Sequence, residues 1–210
     1  MTTLTLISIC EIDMSFDIGN IVLLSKMSFR EVGMQQVSIS HVGLFVHDLA
    51  LMRDYYINVL GFIVTDEVPG RMCFLSRNIE EHHQVALFGG RTGDTPQVQQ
   101  LSFKLDTLEE VREVHRRLVD AGTKEMRCVS HGIAWSIYFP DPEGNRLEYF
   151  TDTEWYVRQP CADPVDFTLP ADEIYRISEA TNRAHEDFQP LHEWRERFNE
   201  KLKQKILETQ

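Results

Sequence analysis

Two residues, His41 and Glu148, are of types and in settings that could hold a metal ion. In the run ISHVGLFV, His41 falls in phase with Gly43 and Phe45, while Val42, Leu44 and Val46 take the other face of an alternating strand. Glu148 sits in RLEYF between Leu147 and Tyr149. A carboxylate inside so apolar a strand is costly to bury alone and calls for a cation, either an arginine or a metal. The plainer alternatives are an exposed face for His41 and a surface pair with Arg146 for Glu148.

Other groups able to move protons lie nearby in the sequence. His82 and His83 precede QVALFGG, where a doubled histidine at a strand entrance is either a polar rim or a functional pair. His131 lies beside a glycine in VSHGIAW, as a loop residue or as part of a site. Tyr138, inside IYF, fits a core position, where its phenol would still need a partner. The remaining histidines read differently. His115 falls in the charged run REVHRRL and reads as solvated, His47 adjoins a helix start, and His185 and His192 belong to a tail that packs at a surface or interface.

The elements that would position these residues form an internal repeat. VSISHVGLFV reads as a strand, and HDLALMRDYYINVLGF reads as a helix capped by Asp48, with Leu49, Met52, Tyr55, Tyr56 and Leu60 at helical spacing and Gly61 at the stop. FIVTDEV, RMCFLSR and HQVALFGG follow as three strands. The second copy has VQQLSFKL, then a helix in DTLEEVREVHRRLVDAG with Leu108, Val111, Val114, Leu118 and Val119 on one face and Gly122 at the stop. EMRCVS, IAWSIYF and RLEYFTD are its three strands, the last two divided by the turn DPEGN. The expected fold is α+β: two βαβββ modules, about 37–92 and 96–153, forming one curved, barrel-like sheet with outer helices and a concave inner face suited to a ligand. Residues 154–210 form a C-terminal extension with helices expected in ADEIYRISEATNRAHEDF and from Leu191 to Leu207. Residues 1–36 read as an N-terminal extension, with Met27 and Met34 as alternative starts.

Composition narrows the function. The chain has 210 residues, 42% hydrophobic and 10% aromatic, enough for one good-sized core. A formal net charge of -12 argues against a nucleic-acid partner and against an anionic membrane surface. No apolar run reaches the ~18 residues of a membrane span. Four cysteines, at 10, 73, 128 and 161, form no C-x-x-C pair, which points to a reducing cytoplasm.

SHVGLFVHDL, EEHHQVALFGG, VQQLSFKLDTLEEV and SHGIAWSIYFPDPEGNRLEYFTD together resemble the vicinal oxygen chelate superfamily. Within it they are most similar to one-domain type I extradiol ring-cleavage dioxygenases. The resemblance covers roughly residues 37–160. It implies a metal-dependent enzyme that inserts both atoms of dioxygen into an aromatic vicinal diol, with Fe(II), or another divalent metal, held by two histidines and a glutamate. His41 and Glu148 match the first ligand and the carboxylate. The second histidine falls in QLSF, so its position is Gln100, a departure in residue type. His83 matches the family's acid/base residue, and His131 and Tyr138 match groups that hydrogen-bond the substrate. The implied partners are a small aromatic diol, dioxygen and further copies of the chain. Two other readings stay open: a glyoxalase-like lyase or isomerase with a non-redox metal, and a non-catalytic small-molecule binder. The lyase type uses a glutamate in the last strand of each module, but here the first module offers Ala86.

Overall fold

A computed structural model describes residues 38–207. The expected N-terminal extension and its alternative starts lie outside them. Residues Ser38–Arg195 form one compact unit, and residues 196–207, which continue the last helix, belong to a second.

The first module runs β1 (Val42–Val46), α1 (Leu49–Asn58), β2 (Ile63–Val68), β3 (Met72–Ser76) and β4 (Val85–Gly89). Asp48 caps α1 by accepting the Leu51 N–H at 2.9 Å, as the sequence predicts. The chain leaves α1 through Gly61, whose φ of 75° suits a residue without a Cβ. The strands pair in the order β1-β4-β3-β2, with β1 parallel to β4 and the rest antiparallel.

The second module repeats this plan with β5 (Leu101–Lys104), α2 (Leu108–Asp120), β6 (Arg127–Ser130), β7 (Ala134–Pro140) and β8 (Arg146–Asp152). Thr107 and Glu110 form a capping box at the start of α2. Val111, Val114 and Leu118 are buried, but Val119 is half exposed. One step past the buried row, it turns off the face it was expected to share. The sheet order is β10-β6-β7-β8-β5, again with one parallel pair, β5 and β8.

The tail supplies β9 (Trp155–Tyr156), β10 (Asp163–Pro164), α3 (Ala171–Asn182), β11 (Gln189–Pro190) and α4 (Leu191–Leu207). α4 has the expected bounds, whereas α3 ends at Asn182, short of the Phe188 that closes the expected helical run. No described helix is long and apolar enough to cross a membrane.

Leu44 and Val46 of β1, Val85 and Leu87 of β4, and Met52 and Tyr56 of α1 share one core with Val111, Val114, Leu118, Ile137, Phe139, Leu147 and Tyr149. Each such side chain contributes about 1.5–3 kcal/mol on burial. The modules meet through side chains. The Phe62 and Phe103 rings lie 5.4 Å apart, and the Tyr149 hydroxyl donates to the Leu60 carbonyl at 3.2 Å. The expectation of one continuous curved sheet is therefore refined. β1 and β5 are both edge strands, the sheets are distinct four- and five-stranded units, and no barrel closes.

Candidate active site

Glu148 lies in the middle of β8 and is 6% exposed. Across the sheet it pairs with Tyr138 on one side and Ser102 on the other, and Tyr138 pairs with Arg127. Ser102, Glu148, Tyr138 and Arg127 thus form a row on one face of the sheet. The Glu148 Oε2 atom accepts hydrogen bonds from Ser102 Oγ at 2.5 Å and Gln100 Nε2 at 2.8 Å. Among the described residues, no lysine, arginine or histidine forms an ion pair with it. A carboxylate this buried, held only by neutral donors, still favours a cation.

His131 completes the cluster. Its Nδ1 lies 2.7 Å from the Cys161 carbonyl, which can only accept, so Nδ1 carries a proton. In the neutral ring, Nε2 is then the acceptor for the Tyr138 hydroxyl at 2.8 Å. Burial, followed by the neighbouring Glu148 carboxylate, pushes the Tyr138 phenol up to about 12. The phenol therefore keeps its proton at neutral pH. A cavity of about 440 Å³ opens here, lined by Gln100, Arg127, His131, Tyr138 and Arg146, among others. It can admit a single aromatic ring.

The first module gathers a second cluster. His41 lies just before β1, in phase with the exposed Phe45, and Leu44 and Val46 point into the core, as the alternation predicts. The His41 and His83 rings are 4.3 Å apart, and Phe74 lies 4.9 Å from His83. His82 Nε2 is 2.8 Å from Asp66 Oδ2, and its Nδ1 is 3.0 Å from His83 Nδ1. With both rings neutral, the carboxylate accepts from His82 Nε2 and His82 Nδ1 accepts from His83 Nδ1, leaving the His83 Nε2 lone pair free. Burial, then the neighbouring His41 and His82, lowers the His83 pKa and favours its neutral form.

Gln100, Glu148, Tyr138 and His131 are therefore together in one module, and His41 and His83 are together in the other. Among the described residues, no hydrogen bond, ion pair or ring contact joins the two groups. What relates them is register. In β1 and β4, Val42 faces Val85 and Gly43 faces Ala86; in β5 and β8, Leu101 faces Leu147 and Ser102 faces Glu148. His41 and Gln100 thus hold matching places, and Ala86 is the counterpart of Glu148.

Residues 38–149, more than half of the chain, match the Glyoxalase/Bleomycin resistance protein/Dioxygenase superfamily. The chain belongs to that superfamily. The superfamily match spans both modules and ends at Tyr149, before the C-terminal extension. The chain is 36% identical over 121 residues to biphenyl-2,3-diol 1,2-dioxygenase 3 of Rhodococcus globerulus, covering 54% of this chain and 63% of that protein. It is 33% identical over 119 residues to biphenyl-2,3-diol 1,2-dioxygenase 2 of the same organism, covering 54% of this chain and 62% of that protein. It thus spans under two thirds of the length of these curated relatives. Among solved structures, lactoylglutathione lyase from Agrobacterium tumefaciens is 20% identical, with a TM-score of 0.46, covering 56% of this chain and 96% of that one.

Sequence reading missed Ser102, Arg127 and the Asp66–His82 pair. Ser102 was within reach, because it shares the strand phase of Gln100. Arg127 and Asp66 carry no local signal; only cross-strand register brings them to the site.

Proposed function

We propose that the chain is an extradiol ring-cleavage dioxygenase that inserts both atoms of dioxygen into an aromatic vicinal diol, with His41, Gln100 and Glu148 as ligands of one divalent metal. The observation that carries this reading is the buried Glu148 carboxylate, which forms no ion pair among the described residues and is contacted by Gln100. Donors of imidazole, amide and carboxylate type suit Fe(II), the metal that the oxygen chemistry calls for. The Gln100 side chain rotates to present Oε1 in place of Nε2, since the two ends of an amide differ only in hydrogen-bonding role. The relatives named for biphenyl-2,3-diol favour an aromatic diol as substrate and dioxygen as co-substrate.

When bound, the metal lowers the pKa of a coordinated hydroxyl and brings diol and dioxygen together. The chain does the rest. Tyr138, whose proton goes to His131 Nε2, offers its phenol oxygen as acceptor to a hydroxyl of the diol. Arg127 and Arg146 supply positive charge on the cavity wall, which favours the ionised diol. His83 takes and returns a proton through Nε2, with its Nδ1 hydrogen held by His82, which Asp66 in turn orients. The glyoxalase-like reading is weaker because Ala86 offers no second carboxylate at the position matching Glu148. Apolar positions in the tail favour self-association, which sedimentation of the purified chain measures.

The test is anaerobic loading with Fe(II), metal analysis, and assay of a panel of catechols and biphenyl-2,3-diol for oxygen uptake and a yellow ring-opened product. Gln100→Ala should weaken metal binding by about tenfold or more. Full affinity in that variant would remove Gln100 from the ligand set, and no metal uptake by the unaltered chain would sink the proposal.

A further inference from the structure

Away from the Glu148 cluster, the C-terminal extension brings together Cys161, Asp163 and His185, each offering a ligand atom within 4.8 Å of the others. Cys161 precedes β10, Asp163 opens it, and His185 follows the end of α3. None of the three belongs to the proposed iron site. Cys161 is buried, and its Sγ lies 3.6 Å from Asp163 Oδ2. Thiolate and carboxylate ligands on a tetrahedral zinc ion, at usual bond lengths, stand roughly 3.5 Å apart.

A second observation points the same way. Asn182 is fully buried, and its Nδ2 donates to the Ser178 carbonyl. Among the described residues, its Oδ1 has only the Cys161 Sγ as a partner, at 4.0 Å, a poor hydrogen bond for a buried amide oxygen. The cluster is also anionic. Asp163 Oδ2 sits against the Cys161 sulfur, and Asp187 adds a second negative charge in its surroundings. Two carboxylates around a buried sulfur favour a bound cation.

We infer that Cys161, Asp163 and His185, with the Asn182 amide oxygen beside them, form a second metal site selective for zinc-class divalent cations. Binding replaces the thiol proton with the cation and releases that proton to solvent; no oxidation or reduction is involved. The site ties the segment after β9 to the end of α3. It also fixes the Cys161 carbonyl, which receives the His131 Nδ1–H. The cation therefore acts on the active-site cluster by positioning His131.

Titrating the metal-free full chain with Co(II) under anaerobic conditions tests this. A sulfur-to-cobalt charge-transfer band in the near ultraviolet is expected, which a His41–Gln100–Glu148 centre cannot give because it contains no sulfur. Cys161→Ser should abolish the band although Cys73 and Cys128 remain. His185 is exposed, so His185→Gln should fold normally and bind Zn(II) at least about tenfold more weakly. Absence of the band in the unaltered chain, its persistence in Cys161→Ser, or unchanged Zn(II) affinity in His185→Gln would each overturn the inference.

Discussion

Glu148 and Tyr138 face each other across β7 and β8, and each depends on a different partner. Glu148→Ala leaves Ser102 without its acceptor and Gln100 Nε2 with the Ser102 hydroxyl, and removes the proposed anionic ligand, so metal content should fall to background. His83→Ala should leave metal content unchanged and lower kcat by about 100-fold or more, the usual scale of a lost acid/base group. Equal metal loss in both variants would argue that His83 is not an acid/base group. Tyr138→Phe should raise KM more than it changes metal affinity, because the phenol's proton goes to His131 and Glu148 keeps its Gln100 and Ser102 donors without it. These placements were partly legible in the sequence. The phase of His41 follows from alternation within one strand, whereas Glu148 was marked by its apolar neighbours, and β8 buries Leu147, Glu148 and Tyr149 in succession. The grouping of Arg127, Tyr138, Glu148 and Ser102 does not, because it depends on the pairing of four strands distant in sequence.

At the level of elements, the turn from β6 to β7 is the tightest point near the site. Gly132 has a φ of 74°, and a Cβ there would lie 2.0 Å from Val157 Cγ2 and 2.8 Å from Asn182 Oδ1. Gly132→Ala combines an unfavourable backbone with a core clash, so a loss of about 2–4 kcal/mol is expected in denaturant unfolding. An unchanged midpoint would mean that the extension does not press on this turn. The elements themselves were readable because each carries its own signals: the Asp48 cap, the helical spacing of apolar residues in α1 and α2, and the alternation in β1. Val119 shows where periodicity runs out, since a residue at the border of an apolar stripe is settled by what packs against the helix. The separation of the two sheets was also not legible, because nothing local states whether two edge strands pair.

Across the whole molecule, the DPEGN turn joins the modules. Glu143 accepts hydrogen bonds from the His47 and Asp48 N–H groups at 2.7 and 2.8 Å and pairs with Arg91 at 2.9 Å, and both charged side chains are buried. Burial alone would raise the Glu143 pKa, but the two backbone donors and Arg91 outweigh it and hold the carboxyl below its usual range. A depressed folded pKa stabilises the fold above the unfolded value, about 4.3, and the contribution is lost as pH falls through the folded value. Glu143→Gln should cost about 3–5 kcal/mol at neutral pH by stranding Arg91, and should flatten the acid limb of the stability profile. The modules so joined present the two histidines on one sheet and the glutamine–glutamate pair on the other, and the proposed chemistry requires them to serve one metal. Single-turnover reaction of the Fe(II)-loaded chain with biphenyl-2,3-diol under isotopically labelled dioxygen tests that most directly. The expected result is a ring-opened product carrying both labelled atoms; a product with no label, or an unchanged diol in fully iron-loaded protein, would contradict it.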